Sequence, residues 1–331
     1  MADEEICIET PSEPQAITPR VSFVSANTMS PKNQNVNYKN LTIQKCLSKG
    51  KFPVFLVHCE NNGKSYAMKL FPFQGSKPDL YFQNEARFIS LSHPHIIKAV
   101  YSEEARKIHT GGSRHQTSLI LAEYAPNGDF FSFVAKYSSL LTDKLIRTYF
   151  RQLIQGLEFL HNNQIMHLDI KLENLLLDKN FLLKIADFDL SSLTTDTFTF
   201  TNGTKYYRAP EIIHRKCRIG PQADIYSAGI ILFAMITGGK IPHTESADFQ
   251  GVNLNYLLHS NPPEFWKKHC EFQKRNPSDF PEDFKDLFMG MTKEDPRKRL
   301  TIPDIKRSVW YNGPIFINSE LKDLMQKMRK M

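Results

Sequence analysis

Two short stretches, IMHLDIKLENLLLD and IADFDL, place charged and amide side chains between runs of hydrophobic residues. Asp169, Lys171 and Asn174 lie close together in the first stretch, and Asp187 follows in the second. Burying such groups costs free energy unless they are paired or bind a ligand. Carboxylates and side-chain amide oxygens are ligands for hard cations such as Mg²⁺. These four residues are therefore the first candidates for a functional site.

The chain before these residues has the pattern of a small β-rich lobe. From Tyr38 the segments LTIQKCL, FPVFLVHC and SYAMKLF are rich in β-branched and aromatic residues, with an Asn-Gly turn before the third. This pattern predicts a β-meander. A helix is predicted from Asp79 to Ser92, and then two strands, IIKAVYSEEA and TSLILAEYA, separated by a polar loop, HTGGSRHQ.

The chain after Gly128 has a helical pattern. Thr142 is a candidate N-cap for a helix whose apolar residues recur every three or four positions. Helical patterns continue through DIYSAGIILFAMITG, PEDFKDLFMGMT and TIPDIKRSVW. The sequence thus predicts an α+β fold of two lobes, a small β-rich lobe with one main helix and a larger, mostly helical lobe. The four candidates lie just past the connection, and clefts between lobes are common ligand sites.

The composition of the chain limits the classes of function that it can have. With 331 residues, 41% of them hydrophobic and 23% charged, the chain can bury a sizeable core. Its longest apolar run, GIILFAMI, is far shorter than the roughly 18 residues that a membrane span needs. The net charge of +7 is spread along the chain, and the five cysteines form no CxxC pair. We expect a monomer of the cytoplasm, or of the nucleus, with no membrane or nucleic-acid partner, and a disordered tail over residues 1–38.

Several further motifs follow one another in a fixed order. They are YAMK, QNEARF, HLDIKLEN, DFD, GTKYYRAPE, DIYSAG and DPRKRLT. With them, the chain from about Tyr38 to Tyr311 resembles a eukaryotic protein kinase catalytic domain of the serine/threonine type. Its final segment is similar to the calcium/calmodulin-dependent and energy-sensing groups. The resemblance implies a two-lobe kinase domain over residues 39–311, with an N-lobe over 39–123, a C-lobe over 127–311 and an extension over 312–331.

The resemblance also implies roles for the charged residues, with ATP and Mg²⁺ as cofactors and proteins as substrates. Lys69 matches the lysine that contacts the α and β phosphates, and Glu85 matches the helix acid that pairs with it. Asp169 matches the catalytic base. Lys171 resembles the γ-phosphate lysine of serine/threonine kinases, and Asn174 and Asp187 match the two Mg²⁺ ligands. Structural roles in the catalytic loop and activation segment fall to Thr204, Glu211, Asp224 and Arg299.

The remaining nucleotide-binding positions line the expected adenine and ribose pocket. By resemblance they are Leu47, Gly50, Phe55, Ala67, Ala122, Glu123, Tyr124, Ala125, Asp129 and Leu176. Glu173 and Asp129 also correspond to acidic positions that contact an arginine upstream of the phosphoacceptor in basophilic relatives. The resemblance therefore suggests protein substrates with Arg before the Ser or Thr.

The glycine-rich loop departs from the family pattern. Ser48 and Pro53 stand where the first and third glycines are expected, and only Gly50 is retained. Proline lacks a backbone N–H and restricts φ, which predicts weaker nucleotide binding. In this alignment Phe55 replaces the valine above the adenine, although a shift of one residue would place Val54 there. The degraded loop leaves an alternative open, a pseudokinase that acts as a scaffold.

Two further departures concern regulation. Leu168 replaces the arginine that pairs with an activation-loop phosphate in most relatives, so we expect activity to depend little on phosphorylation of that loop. In the alternative interpretation Leu168 only packs, and Arg208 or Lys184 binds the phosphate. Asp189 replaces a glycine, and its Cβ should make flipped-out conformations of the metal-binding loop less accessible.

A small residue at the rear of the adenine pocket gives a test. Ala122 occupies a position where larger side chains are usual, which would leave space behind the adenine. We expect the wild-type protein to use ATP analogues with bulky N6 substituents, measured as phosphate transfer from each analogue. Normal turnover of ATP together with rejection of those analogues would contradict the hypothesis.

Overall fold

The smaller lobe is built on one antiparallel sheet. A computed structural model describes residues 20–21, 28–29, 38, 40–74, 77–110, 113–196, 204–214, 220–242 and 254–330. The sheet has the strand order β1-β3-β4-β5-β8-β7-β2, with β6 paired to β5. Its strands are β1 (Arg20–Val21), β2 (Thr28–Met29), β3 (Leu41–Ser48), β4 (Val54–Cys59), β5 (Lys64–Gln74), β6 (Lys77–Pro78), β7 (Ala99–Thr110) and β8 (Ser113–Glu123).

The turn between β4 and β5 forms at the Asn-Gly pair, as the sequence predicts. Gly63 has a φ of +66°, a conformation that glycine adopts without strain. The Asn62 side chain accepts a hydrogen bond from the Lys64 N–H at 3.0 Å, and its amide donates to the Tyr66 hydroxyl at 3.0 Å. Local turn chemistry therefore sets the register of these two strands.

Two predicted boundaries in this lobe are wrong. Strands β7 and β8 remain paired as far as Thr110 and Ser113, so most of the predicted polar loop HTGGSRHQ is strand. Pairing satisfies backbone N–H and C=O groups whatever the polarity of the side chains. Helix α1 (Leu80–Ala86) is shorter than predicted, because the chain then tightens into turns, with the Phe88 N–H donating to the Glu85 carbonyl at 3.0 Å.

Four residues of the predicted disordered tail are strands. Strand β1 pairs with β3, and β2 pairs with β7, at the two edges of the sheet. Edge strands offer unpaired N–H and C=O groups, and an extended segment with little apolar content can still bind to them. The other residues of the tail up to 37 lie outside the described part of the chain.

The larger lobe is mostly helical. Its helices are α2 (Phe130–Tyr137), α3 (Asp143–Asn162), α4 (Pro210–His214), α5 (Gln222–Ile236), α6 (Leu254–Ser260), α7 (Pro262–Gln273), α8 (Glu282–Met291), α9 (Ile302–Arg307) and α10 (Asn318–Lys330). Among the described residues there is no helix with the length and hydropathy to span a bilayer. With the sheet of the smaller lobe, these helices confirm the predicted α+β fold of two lobes.

Helix α3 forms the centre of the larger lobe. The Thr142 hydroxyl accepts a hydrogen bond from the Leu145 N–H at 3.3 Å, which confirms the predicted N-cap. The apolar stripe of α3 is fully buried against α5, whose sequence is apolar on almost every side. A helix that is hydrophobic all round belongs in the interior, so α5 is enclosed by its neighbours.

Two small antiparallel pairs contribute to the core of the larger lobe. Their strands are β9 (Ile165–Met166), β10 (Leu175–Leu177), β11 (Leu183–Ile185) and β12 (Ser192–Leu193). Strand β9 pairs with β12, and β10 pairs with β11. These pairings place the loop after β9 beside the loop after β11, which are the two loops that contain the candidate residues.

The segment 312–331, predicted as an extension, contributes to the core of the larger lobe. Helix α10 buries Leu321, Met325 and Met328 in the same hydrophobic cluster as α3. The guanidinium of Arg151 on α3 donates to the Tyr311 carbonyl, with Nη2 at 2.6 Å. The packed lobe therefore continues past the C-terminal boundary of the unit expected from the sequence.

A buried ion pair joins α4 to the segment before α9. Arg299 donates to both carboxylate oxygens of Glu211, at 2.7 and 2.9 Å, and to the backbone carbonyls of Lys293 and Gln222. Both side chains are almost completely enclosed. Removing one partner would leave the other charge buried and uncompensated.

We therefore expect Arg299→Met to lower the free energy of unfolding by about 3–5 kcal/mol. Urea unfolding of the variant and of the wild type measures the loss of unfolding free energy, provided that the slope m of free energy against urea concentration is the same for both. The matched control is Arg297→Met, because Arg297 is 88% exposed and pairs with Asp295 at the surface. Equal stability of the two variants would show that the buried pair is not a major stabilising contact.

Candidate active site

An ion pair links the sheet of the smaller lobe to its helix. The ammonium nitrogen of Lys69, on β5, lies 2.7 Å from Glu85 Oε2 on α1. Helix α1 begins at Asp79, whose carboxylate accepts the Tyr81 N–H at 2.7 Å. Burial raises the pKa of Glu85 to about 7, although Lys69 opposes the shift. The sequence-predicted pair is thus brought together in a half-enclosed cleft.

Asp187 contacts the same lysine from the other lobe. It lies two residues after the end of β11. Its Oδ1 lies 2.5 Å from Lys69 Nζ. Burial would raise the pKa of Asp187, but Lys69 outweighs that effect and holds the pKa below its ordinary value. Asp187 has a φ of +72°, an uncommon conformation for a residue with a side chain, and such strain is often found at functional sites.

The other predicted residues form one hydrogen-bond network around Asp169. Its Oδ2 lies 2.6 Å from Lys171 Nζ and accepts from the Asn174 amide at 3.1 Å. Its Oδ1 accepts from the N–H and the hydroxyl of Thr204, at 2.9 and 3.1 Å. The structure therefore gathers Asp169, Lys171, Asn174 and Thr204 at one point, although Thr204 is distant in sequence.

Asp224 binds the backbone of the loop that contains Asp169. Its carboxylate accepts the N–H groups of His167 and Leu168 at 2.9 and 2.8 Å, and lies 2.9 Å from His161 Nε2. Burial would raise the pKa of Asp224, but the interactions with His161 and His167 lower it below its ordinary value. Leu168 takes a φ of +65° in this arrangement, so the contact holds an otherwise unfavourable backbone conformation.

The donors at the cleft fit a hard cation. Asp187 supplies a carboxylate and Asn174 an amide group, and the Ala186 N–H donates to the Asn174 carbonyl at 2.9 Å, which joins their two loops. Oxygen donors of this kind suit Mg²⁺. The carboxylates of Glu85, Asp187 and Asp189 also lie within 4.8 Å of one another, but Lys69 binds all three.

The predicted adenine-pocket residues lie around the junction of the two lobes, with one correction. Ala67 pairs with Ala122 across β5 and β8, and Glu123 ends β8 before Tyr124 and Ala125. Leu176 on β10 forms an isolated bridge with Asp129. Leu47 lies in an irregularity near the end of β3, and the Gly50 N–H donates to the Ser48 hydroxyl at 3.3 Å.

The correction concerns Phe55. Directly paired residues of antiparallel strands share a face, and β5 pairs Lys69 with Val54 and Ala67 with Leu56. Phe55 pairs with Met68 and packs in the hydrophobic cluster on the opposite face of the sheet. Val54 and Leu56 therefore lie on the face of Lys69 and Ala67, and Phe55 does not. The motif alone does not fix this register, because a slip of one residue moves every side chain of a strand to the other face.

The segment that replaces the glycine-rich loop folds onto α1. Phe52 is buried, with its ring 4.7 Å from that of Phe71 and 5.4 Å from that of Tyr81. The Lys51 ammonium lies 3.4 Å from the Tyr81 ring centroid, in cation–π geometry. Aromatic contacts hold a loop whose backbone has lost two of the expected glycines.

Asn84 contributes to the site but was missed by the sequence interpretation. Asn84, one residue before Glu85, donates from its amide to the carbonyls of Asp189 and Ser191, at 2.9 and 2.7 Å. Lys184, one of the two cations of the alternative interpretation, donates to Glu123 Oε1 at 2.6 Å. A polar residue on the buried side of α1 was the one signal for Asn84 in the sequence.

The comparisons with known proteins agree with this geometry. The model of the protein kinase domain family matches residues 41–311. CBL-interacting protein kinase 11 of Oryza sativa subsp. japonica is 38% identical over 203 residues, which are 60% of this chain and 37% of the relative. CBL-interacting protein kinase 28 of the same organism is 30% identical over 298 residues, 86% of this chain and 62% of the relative.

A relative from another plant gives a similar match. The carbon catabolite-derepressing protein kinase of Secale cereale is 32% identical over 246 residues, which are 73% of this chain and 44% of the relative. The chain thus spans less than two thirds of the length of these curated relatives. The family match, in contrast, covers most of the chain and both lobes of the cleft. The chain therefore belongs to the protein kinase domain family.

Proposed function

We propose that the protein transfers the γ-phosphate of ATP to Ser or Thr hydroxyls of protein substrates. The observation that carries this proposal is the network in which Lys171, Asn174 and Thr204 all bind the carboxylate of Asp169. A carboxylate held in this way can orient a hydroxyl and accept its proton. It lies across the cleft from Lys69, the cation that would bind the α and β phosphates.

Each charged residue then has a task in phosphoryl transfer. Asp187 and Asn174 would hold Mg²⁺, which neutralises charge on the phosphates when it is bound. Lys171 is placed to stabilise the transferred group beside the base, and Lys69 is positioned by Glu85. The degraded glycine-rich loop is the argument for the alternative of an inactive scaffold, whereas the complete set of charged residues, with Asp169, Lys171 and Asn174 gathered at one point, favours the enzyme.

The substrate class is proposed from Lys171 and from the acidic surface near it. Glu173 is exposed, whereas both oxygens of Asp129 accept hydrogen bonds from Ser132 at the start of α2. Glu173 is therefore the better candidate to contact an arginine upstream of the phosphoacceptor. A monomer of the cytoplasm or nucleus remains the expectation from composition.

We expect Asp169→Asn to lower turnover about 10²–10⁴-fold on a degenerate Ser/Thr peptide library with ATP and Mg²⁺, while nucleotide binding persists. Lys69→Met should lower turnover and nucleotide affinity together, because Lys69 would contact the phosphates. Asp286→Asn, at an exposed position on α8, is the matched control and should retain activity. If wild type is as inert as both variants, the scaffold alternative replaces this proposal.

A second prediction concerns the activation segment. Arg87, just after α1, forms a two-pronged ion pair with Asp196, with both nitrogen-to-oxygen distances at 3.0 Å. The Arg87 interaction lowers the pKa of Asp196, so this carboxylate is charged at neutral pH. The activation segment is thus linked to Arg87 by the Asp196 carboxylate, and this link needs no phosphate group. Thr197, Thr199 and Thr201, the candidate phosphorylation sites, lie outside the described residues.

We therefore expect phosphatase-treated protein to retain most of its activity, whereas Arg87→Gln should lower turnover several-fold, because a charged pair that orders the segment is lost. Peptide phosphorylation rates before and after treatment measure both effects. A large loss on phosphatase treatment, mapped by mass spectrometry to the three threonines, would contradict the prediction.

A further inference from the structure

The ammonium group of Lys69 has all its hydrogen-bond donors occupied. A lysine carries three N–H groups and no acceptor. Lys69 Nζ lies 2.7 Å from Glu85, 2.5 Å from Asp187 and 3.2 Å from Asp189. The first two carboxylates have roles in the proposed reaction, and the third stands where relatives of the family have a glycine. A phosphate oxygen can bind Lys69 only when one carboxylate gives way.

The contact with Asp189 is built into the fold. The buried Asn84 amide donates to the backbone carbonyls of Asp189 and Ser191, so α1 holds the chain at Asp189 and two residues beyond it. The Asp189 side chain is only 13% exposed. The helix that carries Glu85 therefore also fixes the backbone from which Asp189 reaches Lys69.

The charges at this point are unbalanced. Three carboxylates surround one ammonium where phosphates have to enter, so acidic groups outnumber the cation. Electrostatic repulsion between nearby like charges is strong in a partly buried site. A divalent cation at Asp187 would draw that carboxylate from Lys69 and offset the excess charge. Without the cation, Asp189 both occupies a donor and repels the nucleotide.

We propose that Asp189 is a positioning residue that withholds Lys69 from phosphate groups until a divalent cation is bound, so that nucleotide binding is tightly coupled to the cation. This inference rests on the proposed function, because it assigns a nucleotide to the cleft. The inference gives a role to Asp189, which is not among the residues proposed to carry out phosphoryl transfer. Binding energies of the two ligands are linked, so the coupling can be measured from either side.

The test compares ADP binding in Mg²⁺ with ADP binding in EDTA, by titration calorimetry on the full chain. The measured quantity is the ratio of the Kd in EDTA to the Kd in Mg²⁺. Asp189→Asn should lower this ratio about tenfold, which corresponds to ~1.4 kcal/mol, by improving the affinity for metal-free ADP. Asp189→Glu, which keeps the charge, should leave the ratio near that of wild type.

The matched control is Asp196→Asn, the same substitution in the same segment. Asp196 also pairs with a cation next to α1, but its partner is Arg87 and not Lys69. The ratio of the ADP Kd in EDTA to that in Mg²⁺ should be the same for Asp196→Asn as for wild type. Thermal melting identifies any variant that fails to fold, and Asp189→Ala replaces Asp189→Asn in that event.

The outcomes separate the two proposals. If wild type binds ADP and phosphorylates peptides, but Asp189→Asn leaves the ratio unchanged, the role of Asp189 is wrong and the proposed function stands. The same conclusion follows if Asp196→Asn lowers the ratio as much as Asp189→Asn. If wild type neither binds ADP in either buffer nor phosphorylates any peptide, both proposals fail.

Discussion

The contact of one ammonium group with carboxylates from both lobes is the interaction on which the site depends. Lys69 comes from the sheet, Glu85 from α1, and Asp187 and Asp189 from the loop after β11. Burial alone would lower the pKa of Lys69, but the three carboxylates outweigh it and raise the pKa, so the lysine stays charged. Because such a charge is costly to bury alone, each partner is constrained by the others.

A second set of contacts gives the loop of Asp169 its shape. The buried carboxylate of Asp224 binds two consecutive N–H groups, which stabilises the left-handed conformation of Leu168. The buried Leu168 side chain then belongs to the core of the larger lobe, in place of the arginine common in the family. The Arg87–Asp196 pair provides a separate link between α1 and the activation segment. The conformations of the Asp169 loop and of the segment at Asp196 thus rest on ion pairs and hydrogen bonds within the chain.

The loop over the nucleotide site is stabilised by packing rather than by backbone freedom. Phe52 lies among aromatic residues of β5 and α1, and the Leu70 N–H donates to the Pro53 carbonyl at 3.0 Å. Aromatic pairs of this kind add stability beyond the area they bury. The loop, α1 and Lys69 therefore form one packed unit, which makes the loss of glycines at Ser48 and Pro53 compatible with an ordered cleft.

Much of the fold was determined by local sequence. The Asn62-Gly63 turn, the Thr142 cap and the apolar stripe of α3 follow from backbone preferences and periodicity, which act over a few residues. Lys69, Glu85, Asp169 and Asp187 could also be singled out as candidate site residues, because each stands in a motif with a fixed neighbourhood. Their mutual distances could not.

Only the tertiary structure decided the contacts that depend on register and on distant partners. The regular pairing of β4 with β5 places Val54 rather than Phe55 on the face of Lys69, and no local pattern reports that register. Strand pairing extends through a polar segment before Ser113, and short strands from the N-terminal region bind the sheet edges, because backbone hydrogen bonds do not depend on side-chain polarity. The sequence shows Asp189 as a substitution, but its contact with Lys69 arises from packing of α1 against a loop more than a hundred residues away.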